Sequence, residues 1–401
     1  MSLPPTELQD AVAPPGPGVL LTRLTGLRQE EFARDVWAHS ALLIRRASDF
    51  SDLFCADAVD ELISRRGLRT PFLRVAKDGS TLPESAFTSS GGAGATIADQ
   101  VDDTALWRAF ADGATLVLQA LHRTWGPVTD FCSGLAAELG HPVQANAYVT
   151  PPQNRGFDDH YDVHDVFVLQ IAGTKRWIIH EPVHPDPLRD QPWSDRRAAV
   201  AEAARGEPHI DTVLAPGDVL YLPRGWLHAA RARGEVSIHL TLGVHTWTRH
   251  ALAEQLARSA LAALREDPWM RGTLPLGLDG PEAAIDGVRE RLTAALADAD
   301  PAPLFHRARR AQARPAPLGP LAQLAAVRGL APDTPVRLRP ALAARLEGRR
   351  LTTRVGRLDF PEADLAPVAR LLDGGVHTAG ALGLRLAERL LRAGVLVPAE
   401  R

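Results

Sequence analysis

Asn146-Ala-Tyr-Val-Thr-Pro-Pro-Gln-Asn-Arg-Gly-Phe-Asp-Asp-His160-Tyr161-Asp162-Val-His164-Asp165-Val-Phe-Val-Leu-Gln-Ile-Ala-Gly-Thr-Lys175-Arg-Trp177 reads as one side of a metal site running into a strand. Residues 166–171 are apolar and β-branched, and Ala172-Gly173-Thr174 closes them with a turn signal. If extended geometry covers 160–171, His160 and Asp162 share one face, because successive strand side chains alternate. An imidazole and a carboxylate make two corners of a site. The third is found in Ala215-Pro-Gly217-Asp-Val-Leu-Tyr-Leu-Pro223-Arg-Gly225-Trp-Leu-His228, where a short apolar strand lies between Gly217 and a Pro-Arg-Gly turn. Two His and one Asp form a facial triad that leaves coordination positions open on a non-haem Fe(II). A closed zinc site fits less well, since the thiolates common in structural zinc sites are missing from both segments.

Gly217-x5-Pro223-x-Gly225-x2-His228 looks like the second cupin motif. His160-x-Asp162, then Asp165-Val-Phe-Val-Leu-Gln and Gly173-x-Lys175-x-Trp177, resembles the JmjC-type cupins of the ribosomal oxygenase group. The likeness is densest over residues 146–246. It implies an Fe(II) enzyme that uses 2-oxoglutarate as cosubstrate with O2 and hydroxylates a protein or peptide side chain, most readily Arg or His of a ribosomal protein. Two alternatives stay open: a cupin metalloenzyme that does not use 2-oxoglutarate, and a hydroxylase of a natural-product peptide. The resemblance assigns the metal to His160, Asp162 and His228. Lys175 begins the strand after the Gly173 turn and offers an ammonium with three donors. It matches the basic residue that anchors the distal carboxylate of 2-oxoglutarate; in the family's bacterial arginine hydroxylase that residue is Arg. Asn146, Tyr148 and Thr241 match positions near the cosubstrate and substrate. His164 alternates in phase with the ligands and is read as a neighbour of the site, His239 as a core histidine, and Trp177 and Trp226 as apolar wall.

The 401 residues are too many for one small core and point to two or three domains. A net charge of −3 gives no electrostatic case for nucleic acid or an anionic membrane. Cys55 and Cys132 sit in segments that read as helical, which predicts buried thiols in a reduced cytoplasm. The N-terminus places Pro and acid before any basic region, unlike a secretory signal, and no apolar run approaches membrane-spanning length.

The predicted organisation is α+β. A loose Pro-rich arm covers 1–18, a JmjC/cupin catalytic domain 19–247, a helical region and linker 248–320, and a compact tail 321–401. Within the catalytic domain, helices are expected at 29–37, 103–125 and 127–139, the last ended by Gly140, and strands at 41–45 and 71–76. Ser51-Asp52-Leu53 is expected to cap a helix, and 88–96 to be a loop. Seven strands then follow at 144–150, 160–171, 175–180, 212–214, 219–222, 228–233 and 236–245, the pattern of an antiparallel double-stranded β-helix. Residues 185–209 look like an insertion. Helices are predicted at 250–264 and 281–297, and the resemblance gives this region a homodimer interface. In the tail, strands at 335–338 and 351–355 precede helices at 361–372 and 378–393, similar to the family's winged-helix domain. Its acids (Glu347, Asp359, Glu362, Asp364, Asp373, Glu388) argue against DNA as a partner.

Overall fold

The computed structural model describes residues 18–77, 79–152, 158–274, 282–303, 305–306 and 314–399. The arm expected over 1–18, save Gly18, and part of the 298–320 linker lie outside them. The chain divides into one unit ending at His245 and another beginning at Thr246.

The first unit carries strands β1 (Leu42–Ile44), β2 (Leu73–Lys77), β3 (Ser80–Thr81), β4 (Thr88–Ser89), β5 (Gln100–Val101), β6 (Thr115–Leu118), β7 (Val143–Thr150), β8 (Asp165–Ala172), β9 (Lys175–His180), β10 (Ile210–Leu214), β11 (Val219–Leu222), β12 (Leu227–Ala232) and β13 (Ser237–Val244). Eight form one antiparallel sheet in the order β1-β11-β8-β13-β7-β6-β2-β3, and β10-β9-β12 form a second. This mixture of helix with a large antiparallel sheet matches the α+β expectation. Strict alternation gives the large sheet two different faces. Ala145, Ala147 and Val149 of β7 and Leu240, Leu242 and Val244 of β13 enter the main core with Val128, Phe131 and Leu135 of the helix Gly126–Leu139. The opposite phase of β7, Gln144, Asn146, Tyr148 and Thr150, looks inward. A second apolar cluster ties the sheets together: Val166 and Val168 of β8, Trp177 and Ile179 of β9, Leu214, Leu220 and Leu222.

Four expectations need correction. The single helix over 103–125 is instead a helix Asp103–Ala111, strand β6 and a one-turn helix Leu121–Thr124. Gly113 at φ +93 breaks the first helix, and all four β6 residues are buried between β7 and β2. A run buried on both faces has no period that distinguishes strand from helix. The strand predicted at 160–171 begins only at Asp165, and His160 makes an isolated bridge to His228. Ser51-Asp52-Leu53 caps nothing: the next helix is Ala56–Arg65, with Cys55 preceding it rather than inside it. In the second unit, the helix predicted at 378–393 is split into Ala379–Leu382 and Leu384–Arg392 at Gly383, φ +88.

That second unit contains the helices Arg249–Leu264 and Glu282–Asp298, and a tail with its own core of Val336, Leu351, Phe360, Leu386 and Leu390 among others. The tail has two three-stranded sheets: Val376–Thr378, Pro335–Leu338 and Leu396–Pro398, and Arg345–Glu347, Arg350–Thr353 and Gly356–Asp359. Several of these strands are too short for alternation to reveal them in sequence.

Gly173 makes the β8–β9 turn at φ +58, and a Cβ there would lie 2.0 Å from the Val236 carbonyl oxygen. Both the left-handed backbone and the clash penalise any side chain. Gly173→Ala is therefore expected to destabilise the first unit by at least about 2 kcal/mol in thermal or urea unfolding. A loss below roughly 0.5 kcal/mol would contradict this packing.

Candidate metal centre

The two ligand-bearing segments meet through their backbones. His160 N donates to His228 O at 3.2 Å, and His228 N donates to His160 O at 2.8 Å. Gly225 N donates to Asp162 O at 3.0 Å. One ligand atom from each of His160, Asp162 and His228 falls within 4.8 Å of the others, and among the described residues this is the one such group of His, Cys, Asp or Glu. The His160 and His228 rings are 4.3 Å apart, and His228 Nε2 lies 3.7 Å from Asp162 Oδ2. His160 thus shares a site with Asp162 without sharing a regular strand with it.

Each imidazole is held by its other nitrogen. His160 Nδ1 lies 2.7 Å from the Asp158 carbonyl oxygen and His228 Nδ1 lies 3.1 Å from that of Trp226. A carbonyl only accepts, so both Nδ1 atoms are donors and both Nε2 atoms carry the coordinating lone pair. His228 is pushed down to about 4, first by burial and then by His160, against the opposing pull of Asp162. It is therefore neutral at pH 7, the form a metal requires. Burial pushes the Asp162 carboxyl up, but the imidazoles of His164, His228 and His160 outweigh it and hold the group below the ordinary carboxylate range. Two imidazoles and one carboxylate fit an octahedral Fe(II) with open positions.

Lys175 is 3% exposed at the start of β9, and its Nζ donates to Thr150 Oγ1 at 3.0 Å. No carboxylate pairs with it among the described ion pairs. Burial alone pulls the ammonium down from 10.5 to about 7. Two residues along, Trp177 lies 6.1 Å from the His228 ring and 5.4 Å from that of His239. Tyr148 stacks on His239 at 4.9 Å, and burial raises its phenol to about 12. Trp177 Nε1 and His239 Nδ1 are buried without a hydrogen-bond partner. A buried lysine outside the described ion pairs and two such orphaned atoms, one on each sheet, suit a small polar anion.

The other expected contacts are less direct. Asn146 shares the inward face of β7 with Tyr148, but its Oδ1 accepts from Ala120 N at 3.0 Å. Thr241 is opposite Asn146 in the β13–β7 register. His164 falls outside the three-residue group. Its ring lies where a Cβ on Gly243 would come within 2.5 Å, and it stacks on His245 at 5.2 Å. Asp165 is buried, taking the Tyr221 hydroxyl at 2.6 Å and Arg224 N at 3.1 Å. Sequence reasoning assigned Trp177 and His239 to wall and core. No spacing rule marks a buried N–H as lacking an acceptor.

Residues 128–252 match the JmjC domain family. The chain is 30% identical over 271 residues to the bifunctional lysine-specific demethylase and histidyl-hydroxylase NO66 of Drosophila melanogaster, covering 65% of this chain and 39% of that protein. It is 30% identical over 261 residues to ribosomal oxygenase 1 of Rattus norvegicus, covering 63% of this chain and 41% of that one. The chain thus spans about two-fifths of the length of these curated relatives. Its fold is similar to that of YcfD, a ribosomal oxygenase from Escherichia coli, with a TM-score of 0.56 at 19% identity over 93% of this chain and 98% of that one, in a complex with cobalt and succinic acid. A YcfD complex with cobalt and 2-oxoglutarate gives 0.54 at 18% identity over 93% and 98%.

Lys175 also sets a pH-dependent stability. Its folded-state pKa is depressed, so between about 7 and 10.5 the unfolded chain binds a proton that the folded chain does not. Stability therefore falls as pH drops through that window, and the deficit is constant below it. Lys175→Met is expected to make the ligand-free protein more stable at pH 7, by roughly 1–3 kcal/mol, with the gap closing as pH rises toward 10. Unfolding midpoints of both proteins across pH 6–10 check this, and a variant less stable throughout would refute it.

Proposed function

We propose, from the match of residues 128–252 to the JmjC domain family and the similarity to ribosomal oxygenases, that the chain is an Fe(II)- and 2-oxoglutarate-dependent oxygenase that hydroxylates a side chain of a protein or peptide, with Arg or His of a ribosomal protein as the leading substrate. The observation that carries this reading is a three-ligand group together with a buried lysine on β9, the strand paired with that of His228, which forms none of the described ion pairs. His160, Asp162 and His228 would hold the iron on one face, leaving the remaining positions to cosubstrate and O2. When bound, iron with 2-oxoglutarate and O2 supplies the oxidising power to insert one oxygen atom into a C–H bond, the other leaving in succinate as CO2 is lost.

The chain's own part is placement and exclusion of water. Lys175 Nζ and the Thr150 hydroxyl would bind the distal carboxylate of 2-oxoglutarate, whose negative charge restores the ammonium to its charged form. Trp177 Nε1 and His239 Nδ1 offer further polar contacts at the same depth. Trp177, Ile179, Leu214 and Leu220 close the interior against water. Tyr148, Asn146 and Thr241, on neighbouring inward positions of β7 and β13, would face cosubstrate and substrate.

Two finer assignments belong to the same proposal. The helices Arg249–Leu264 and Glu282–Asp298 form a homodimer interface, supported by exposed Leu252, Leu261, Ile285 and Val288. Light scattering is expected at twice the 43.2 kDa chain mass, and a monomer at micromolar concentration would rule the interface out. The tail over 321–401 is a winged-helix-like domain that serves structure or substrate docking.

The function is tested by incubating the purified protein with Fe(II), 2-oxoglutarate and ribosomal proteins, reading succinate and a 16 Da mass gain on a peptide. Both are expected in the wild type. In Lys175→Met, the thermal stabilisation by 2-oxoglutarate disappears while Co(II) binding stays within about threefold, since the lysine is not a ligand. Retained 2-oxoglutarate stabilisation in that variant would favour a cupin that uses another cosubstrate.

A further inference from the structure

The segment that carries two of the three ligands is not a strand, so something other than a sheet register must fix it. Its ends are held by the His160–His228 backbone pair and by Gly225 N on Asp162 O. Its middle residue, Tyr161, is 1% exposed and packs with Val200 and Leu227. The Tyr161 hydroxyl donates to the Gln191 carbonyl oxygen at 3.0 Å. Gln191 is in turn braced, its Oε1 accepting from Leu188 N at 2.9 Å and lying 3.0 Å from His184 Nε2, and its N donating to Leu188 O at 3.0 Å. Two residues on, Trp193 stands 6.2 Å from the His160 ring, with the Arg197 guanidinium 4.5 Å over its face. The 185–209 segment, which reads in sequence as an insertion, is thus wired to the residue between the ligands.

We propose that Tyr161 and Gln191 are positioning residues for the metal, and that the insertion is a structural part of the centre. Tyr161 touches neither metal nor substrate. It anchors the turn from behind, so that His160 on one side and Asp162 on the other present their donor atoms at a fixed separation. Losing the hydroxyl would free the turn to rotate about its two backbone ends and move both ligands together. Partners of this kind, behind the ligands, commonly govern affinity by one to two orders of magnitude.

This inference rests on the metal-centre reading, and the test separates the two. Co(II) is the probe, by calorimetry for affinity and by its visible d–d absorption for geometry. Tyr161→Phe is expected to bind Co(II) about 10–100-fold more weakly and to show an altered d–d spectrum at saturating metal, while the metal-free protein keeps its circular dichroism. Gln191→Ala is expected to weaken binding in the same direction. The double variant should be no weaker than Tyr161→Phe alone, because Gln191→Ala keeps the main-chain carbonyl that accepts the hydroxyl and acts only by removing the side-chain brace on it. The spectral change at saturation distinguishes a displaced ligand set from a general loss of stability. A Tyr161→Phe protein with affinity within about twofold of wild type and an unchanged spectrum overturns the inference, as do effects that multiply. A wild type that binds no Co(II) overturns the metal-centre reading, and this one with it.

Discussion

The two reciprocal hydrogen bonds between the backbones of His160 and His228 are the constraint on which the centre depends. They are a single bridge of antiparallel sheet that ties the irregular segment around His160 to the start of β12. Because antiparallel partners face each other closely, the bridge brings two imidazoles to 4.3 Å from segments separated by the whole of β8 to β11. Everything upstream and downstream serves to deliver those two residues to that bridge. β8 and β11 pair directly, Leu222 against Val166, so the chain leaves one end of the large sheet at matched height on both strands. Gly225 then takes a φ of +89 against the His184 carbonyl, a turn that a residue with a side chain could make only with strain and a clash. The chain arrives at Leu227 already in register with His180.

Much of this was legible in the sequence because it rests on short-range patterns. Alternation set β7 and β9 within a residue, Gly217 and the Pro223-Arg224-Gly225 turn bounded the all-apolar β11, and Gly173 marked the β8–β9 turn. The three ligands were found because a metal demands specific donor types at fixed offsets, which few other constraints imitate. The failures have a common cause. β6 was hidden in a helix because Thr115, Leu116, Val117 and Leu118 are buried on both faces, so nothing in the order of polar and apolar residues records their conformation. The 160–164 turn was read as strand because two alternating ligands mimic a pleat. The backbone bridge that orients them is a tertiary contact with no local signature.

The interior also shows a conflict between stability and what the site is built to receive. A lysine buried to 3% exposure, with a hydroxyl as its hydrogen-bond partner, is a net cost to folding. The chain carries that cost beside two further unmatched polar atoms, His239 Nδ1 and Trp177 Nε1. One such group could be an accident of packing. Three across the two sheets, with Trp177 between the His228 and His239 rings, form a coherent demand for a small polar anion. The same low dielectric that penalises the empty lysine strengthens its attraction for a carboxylate.

The two sheets divide the labour unequally, and this determines how the site tolerates change. The small sheet supplies Lys175 and Trp177 from β9 and His228 from β12, rigidly related by six consecutive paired residues. The large sheet supplies Tyr148 and His239, stacked across the β7–β13 ladder. His160 and Asp162 belong to neither sheet and are lashed to the small one. The separation between metal ligands and lysine is therefore internal to one sheet and indifferent to small shifts between the two. The wall formed by Tyr148 and His239 can move relative to that frame only by repacking Val166, Val168, Leu220 and Leu222 against Trp177 and Ile179. Close-packed interiors resist such shifts over fractions of an ångström, so the chemistry is framed by hydrogen-bonded register and its outer boundary is set by core packing.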